Sequence, residues 1–419
     1  MSSETRKQIE YSKKEARDPR SRQARSLLKY LSYMKFWLAV AVLSAFPLTV
    51  SAQTWRWIFE DVDVQGAGTS IAVDGDGNLH LAYYVSMGGE LRYGFRPAGT
   101  SKWYKMALAS GLNSMDTGIT LDANGNPQIC YTPSSIRYAR WDGKRWSTQE
   151  IDPGSPRIGF TCSIRVSPEG RPMVVWYEEG GPYLRFAVLK DGVWLASSVD
   201  GGGGEWPGKW NSMVLDARGQ PHISYSDWPA PELKYAQFNG QNWAINVVDA
   251  PDPKKSGEVE RSMGNSLVLD AKGSPLISYY DEESLRLARL VDGRWKSEVV
   301  ESLPPYGSNW SWKNFRSTLV LDSKGRPHIG FESRLGLGHA WWDGEKWQTQ
   351  LLVSTMGFPL LENAMAIDRN DDLYVPFRDP RDGTLRLAVG RPEAATESAK
   401  EGQKQDGGRA SRDRASTNE

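Results

Sequence analysis

Residues Ser266 to Asp281 read SLVLDAKGSPLISYYD, and residues Thr318 to Ser333 read TLVLDSKGRPHIGFES. In each, a short apolar strand ends in Asp, turns through Gly and restarts as a second strand. Asp favours the start of a tight turn, and Gly supplies the positive φ that the turn needs. Looser copies start their apolar runs at Ile71, Ile119, Ile164, Met213 and Met365. The turn position is held by Asp74, Asp122, Ser167, Asp216, Asp270, Asp322 and Asp368. Intervals run from 45 residues (Asp122 to Ser167) to 54 (Asp216 to Asp270). A tryptophan keeps step, at Trp57, Trp103, Trp146, Trp194, Trp243, Trp295 and Trp347. Periods of this size signal an array of repeats or a propeller.

Each copy reads as four strands. In the copy at Ser266, the first strand is Ser266 to Leu269 and the second Pro275 to Tyr280. Leu285 to Leu290 follows as the third, and Asp292-Gly293 turns the chain into a fourth led by Trp295. The last copy has strands at Asn363–Ile367, Leu373–Phe377 and Leu385–Val389 but no Trp-led fourth. The stretch Trp57 to Val62 supplies one from the other end of the repeat region. The expectation is an all-β, seven-bladed β-propeller of four-stranded antiparallel blades, closed by the N-terminal strand in the last blade. Closure removes the open edges that an unclosed array would expose.

The order of apolar strand, Asp-x-x-Gly turn and further strands, as in Ile71 to Tyr84 (IAVDGDGNLHLAYY), resembles NHL-type propeller repeats. The Asp/Gly turns with their Trp resemble, more loosely, the BNR or Asp-box repeats of sialidase-like propellers. The resemblance covers roughly Trp55 to Gly390. The full Ser-x-Asp-x-Gly-x-Thr-Trp pattern is not met, and no Arg-Ile-Pro motif stands near the start, so the resemblance implies the fold and not sialidase activity.

Formal net charge is zero, which gives no global attraction to nucleic acid or an anionic membrane. Met34-Lys35 leads into an apolar run from Phe36 to Val50, and Val50-Ser51-Ala52 offers a small-x-small cleavage site. Residues 34–52 therefore read as a secretory signal peptide, and 1–33 as a basic extension before a start at Met34. An uncleaved anchor with a basic cytoplasmic tail is the competing reading. The propeller occupies 53–390, and 391–419, rich in Glu, Lys, Gly and Ser without an aromatic residue, is expected to be a disordered polar tail. The chain is expected to be exported, to the periplasm, cell surface or medium, as a monomer. Export permits a Cys130–Cys162 disulfide, with two buried free thiols as the alternative.

A residue present in every copy is scaffold; one that breaks the pattern marks a candidate site. His80, His222 and His328 share one second-strand position in separate blades and do not converge as metal ligands would. The third-strand bases Arg92, Arg137, Arg185, Lys234, Arg286 and Arg386 face acids such as Glu178, Asp227, Asp281, Glu332 and Asp379, which reads as cross-strand pairing. Asp74-Gly75-Asp76-Gly77-Asn78 is similar to a calcium loop but lacks the downstream Glu, so calcium is a minor reading and no cofactor is implied.

The departures lie in loops entering the first strands. One carries Trp206 and Trp210, another Tyr306, Trp310 and Trp312, and Trp228 stands in a second-to-third-strand loop. Flat indole faces suit the C–H faces of sugar rings. The alternative is that these aromatics form small satellite cores. Thr69, Thr117, Cys162, Asn211, Asn265, Arg316 and Asn363 open the first strands and should rim the channel, with Arg316 the outlier in charge. The leading expectation is a binding module for a glycan or cell-surface polymer at the aromatic mouth. A sialidase-like glycoside hydrolase or lyase is the alternative, with Glu178, Glu332 and Arg316 as candidate catalytic residues. A protein-docking scaffold is the third reading. Elbow, P-loop and dinucleotide motifs are lacking.

Overall fold

In the computed structural model, the described residues are 54–85, 88–112, 116–154, 158–181, 183–201, 207–227, 232–250, 264–281, 283–303, 315–354 and 364–393. They form strands β1 to β28 in seven antiparallel sheets of four, which make the blades of a propeller ring. The innermost strand of each blade is β2 (Ala67–Val73), β6 (Thr117–Leu121), β10 (Ile158–Val166), β14 (Lys209–Leu215), β18 (Ser266–Leu269), β22 (Ser317–Leu321) and β26 (Ala366–Ile367). The last blade is ordered β1 (Thr54–Asp63), β28 (Leu385–Glu393), β27 (Leu373–Arg378), β26, so the N-terminal strand closes the ring.

Strand β28 runs three residues beyond Gly390, because Arg391, Pro392 and Glu393 pair with Arg56, Trp55 and Thr54. Residues Arg391 to Glu393 are therefore part of the propeller's last strand. The basic extension, the signal segment and residues 394–419 lie outside the described residues, as do Trp206, Trp228, Tyr306, Trp310, Trp312 and Asn363.

The turn explains why the phrase repeats. Asp270 Oδ1 accepts from the amides of Lys272 and Ser274, both at 2.8 Å, while the Gly273 amide donates to the Asp270 carbonyl at 2.9 Å. Gly273 has φ 79°, which an L side chain rarely adopts. Ser167 makes the same turn with a shorter side chain, at 3.3 Å from the Arg171 amide. The Asp74 loop has the common geometry: its carboxylate accepts from the amides of Asp76 and Asn78 and from the Asn78 side chain.

Seven buried apolar clusters, one at each junction between neighbouring blades, form the core. The repeated tryptophans pack against them, each beside the preceding blade. Tyr93 meets Trp146, Tyr138 meets Trp194 and Tyr235 meets Trp295 with ring centroids 5.0–5.3 Å apart. Cys130 and Cys162 are disulfide-bonded with Cα atoms 6.4 Å apart, tying the second blade to the third. Gly118 sits beneath that bridge, where a Cβ would stand 2.8 Å from the Cys130 sulfur.

Polar latches also cross between blades. Asp63 on β1 accepts from Tyr83 at 2.7 Å and pairs with Arg92 at 2.9 Å, both in the next blade. Asp200 accepts from Tyr225 and Asp249 from Tyr279 in the same way. Three of the repeated third-strand bases, Arg92, Arg185 and Lys234, are thus shared between an acid of their own blade and one of the preceding blade. Arg185, for example, reaches Glu178 at 3.3 Å and Asp152 at 2.6 Å.

Candidate functional site

The innermost strands enclose a channel, and one end of it opens into a cavity of about 200 Å³. Six of the seven residues expected to rim it do so: Thr69, Thr117, Cys162, Asn211, Asn265 and Arg316. They gather because strand openings occupy the same register in every blade. Trp210, Asp116 and Arg165 also line the cavity.

Arg316 organises the mouth. Its guanidinium leaves the sixth blade, pairs with Asp116 of the second at 2.8 Å and lies 4.8 Å from the ring centre of Trp210 in the fourth. It therefore spans the opening. Burial pushes the Asp116 carboxyl up from the ordinary carboxylate range, and the Arg316 charge pulls against that rise. Trp210 holds its ring there with φ 55°, a left-handed backbone that is strained for a large L residue. The close approach of β22 to the fifth blade requires Gly264: a Cβ there would fall 1.9 Å from the Phe315 carbonyl oxygen.

Several rim groups also join the blades. Asn211 donates to Thr161 Oγ1 at 2.9 Å, and the Asn265 amide oxygen accepts from Ser224 at 2.5 Å. One step deeper, Ser163, Ser212 and Ser266 accept from the backbone amides of Met213, Leu267 and Leu319 on the next blade. These serines stand four residues before the turn residue in their copies, a register the sequence shows once the turns are aligned. The two asparagines are thus both rim and blade-to-blade joints.

The structure does not bring Glu178 and Glu332 to this cavity. Glu178 is buried against Arg185, and Glu332 is fully buried, its backbone amide donating to Tyr280 Oη at 2.9 Å. His80, His222 and His328 stay in separate blades, His80 at 3.4 Å from its turn acid Asp74 and His328 at 3.6 Å from Asp322, while His339 joins His328 in the sixth blade. Residues that sequence reading passed over are Asp116, the counter-ion at the rim, and Arg165. Arg165 is the more instructive. It stands two residues before the turn residue, where the other copies have Ala72, Thr120, Val214, Val268, Val320 and Ala366. The register comparison that separated scaffold from exception would have found it.

The ring has solved counterparts. A structure of YCF48 bound to D1 peptide superposes with a TM-score of 0.52 at 12% identity, covering 83% of this chain and 100% of that one. The polysaccharide lyase Uly1 gives 0.50 at 11% identity, covering 77% and 89%. A fucose-specific lectin from Aleuria aurantia gives 0.48 at 15% identity, covering 70% and 97%. At these identities the likeness is one of fold. No protein-family model and no curated protein matches the sequence.

Proposed function

We propose that the chain is a binding module that takes a glycan or another cell-surface polymer at the channel mouth. The observation that carries this reading is the Trp210–Arg316–Asp116 arrangement. An aromatic ring, a planar guanidinium and a carboxylate from three different blades meet over one cavity. Such a set offers an apolar face together with directional hydrogen bonds, which sugar rings and their hydroxyls need. The cavity is smaller than the roughly 300–1,000 Å³ of drug-sized ligand sites. It suits one residue or one end of a polymer. In sequence, the aromatic-rich segments around Trp206 and Trp310 stand just before Trp210 and Arg316, each on the N-terminal side of its blade's first strand.

The hydrolase reading gains nothing from the geometry. Glycoside hydrolysis uses two carboxyl groups flanking the bond. Among the described lining residues Asp116 is the one carboxylate, and it is engaged by Arg316.

The test is binding to a glycan array by the full chain and by the Trp210→Ala and Arg316→Ala variants, with thermal melts to establish folding. Each variant is expected to bind at least about tenfold more weakly, the loss of one good charged or aromatic contact. Equal binding by wild type and both folded variants, or no glycan bound by the wild type, would remove the proposal.

A further inference from the structure

Arg165 differs from the other interior cations. Arg92, Arg185, Lys234, Arg286 and Arg386 each pair with a carboxylate. Arg165 has no ion pair among the described residues; its guanidinium donates to the carbonyl of its own neighbour Ile164 at 2.7 Å. It is half-buried where it lines the cavity, and desolvation there pulls it down to about 10, with no acid among the described residues to hold it up. A guanidinium taken from bulk water without a counter-ion is costly, and folds rarely keep one without a partner or a use. Small residues fill this register in the six other blades, so the propeller does not need a cation there.

Position gives it a use. The charged groups lining the cavity are Asp116, Arg165 and Arg316, one negative and two positive, which leaves a net charge of +1. Arg316 is matched by Asp116 at the rim. Arg165 stands four register positions deeper, about 13 Å along the strand at roughly 3.3 Å per residue. The uncompensated charge therefore lies below the mouth, where an entering ligand would meet it last.

We propose that Arg165 anchors a carboxylate of the ligand, so that the module selects polymers carrying an acidic sugar residue. This inference rests on the glycan reading above. It adds that a uronate-type carboxylate enters past Trp210 and Arg316 and is held by the guanidinium fork. Carboxylate matches that fork with two parallel N–H···O bonds. The contact supplies the counter-charge that the described residues do not provide. Neutral sugars meet the same mouth but leave Arg165 unmatched.

The experiment is calorimetric titration of the full chain with galacturonate oligosaccharides, neutral galactose oligosaccharides of equal length, and a peptide with a free or amidated C-terminus. It is run on wild type, Arg165→Met and Arg165→Lys. The acidic oligosaccharide is expected to bind wild type at least tenfold more tightly than the neutral one. Arg165→Met should abolish that preference, and Arg165→Lys, which keeps charge but loses the fork, should fall between. Arg165→Met is expected to melt no lower than wild type, since it removes a half-buried charge that has no carboxylate partner among the described residues. Equal affinity for acidic and neutral sugars, or a preference that survives in Arg165→Met, overturns the anchor while leaving glycan binding at the mouth intact. Capture of the free peptide terminus without capture of galacturonate overturns the sugar assignment. Binding of none of these probes overturns the anchor; the glycan array, run on wild type, then decides the mouth separately.

Discussion

Replacing Trp55 by Ala should destabilise the protein by about 3–5 kcal/mol, the range for removing a buried tryptophan from a packed core. Trp55 is 5% exposed and lies on the strand that closes the ring. Its indole packs with Leu337, Trp341, Met365 and Phe377 at the junction of the sixth and seventh blades. It also stands edge-on to His328 and His339, with ring centroids 5.1 and 5.2 Å away. Losing it empties the junction and loosens the only strand of the last blade that comes from the N-terminal side. Because closure is what removes open edges, weakening β1 weakens the whole ring and not one blade. Phe59 is the control. It lies on the same strand but is 48% exposed, so Phe59→Ala should cost about 1 kcal/mol or less. Urea unfolding followed by tryptophan-independent far-UV circular dichroism measures both. If Trp55→Ala unfolds at the same urea concentration as Phe59→Ala, β1 does not hold the ring in the way described.

The fold was legible because its instructions are local and repeated. An Asp that satisfies two amides and a Gly at positive φ fix each turn, and both stand in the sequence at regular intervals. The closing strand was legible by subtraction, since the last copy lacked a fourth strand and the segment at Trp57 was left over. Cross-strand pairs such as Lys234 with Asp227 followed from register alone. What sequence could not supply was contact across the ring. Asp116 and Arg316 are separated by 200 positions and meet because the channel brings blades two and six within reach of one side chain. The Asp63–Tyr83 latch, and its equivalents at Asp200 and Asp249, link neighbouring blades through residues that no single copy shows together. Arg165 was a different kind of miss. Its exceptional character is present in the aligned copies, where the same register holds Ala, Thr or Val.

Acidification should destabilise the protein between about pH 6.5 and pH 5, with His339 as the main cause. His339 is fully buried, and its ring stacks between His328 at 5.3 Å and Trp341 at 5.0 Å, while Trp55 and Trp57 meet it edge-on. Burial first, and the neighbouring His328 second, hold it well below the ordinary imidazole value near 6.5. Its Nε2 is hydrogen-bonded to His328 Nδ1 at 3.1 Å, and the far nitrogen of His328 looks toward Asp322 at 3.6 Å. In the unfolded chain His339 takes up a proton below about pH 6.5; in the folded chain it stays neutral. The unfolded state then binds more protons, so stability is full above that pH and falls as pH drops. The slope approaches about 1.4 kcal/mol per pH unit, and the loss from this residue reaches about 2 kcal/mol at pH 5. Burial lowers His80 and His222 as well, against the pull of Asp74 and Asp216, and they add in the same direction. The acids titrate in a different window. Burial raises Asp322, but bonds from His328 and Arg326 outweigh it and hold it below the usual carboxylate range, so its contribution is lost only below about pH 4. Unfolding free energies measured at pH 8, 6 and 5 on wild type and His339→Gln separate these effects. The variant is expected to start less stable at pH 8 but to lose about 2 kcal/mol less on reaching pH 5. A variant whose stability falls with pH as steeply as wild type would show that the proton is taken up elsewhere.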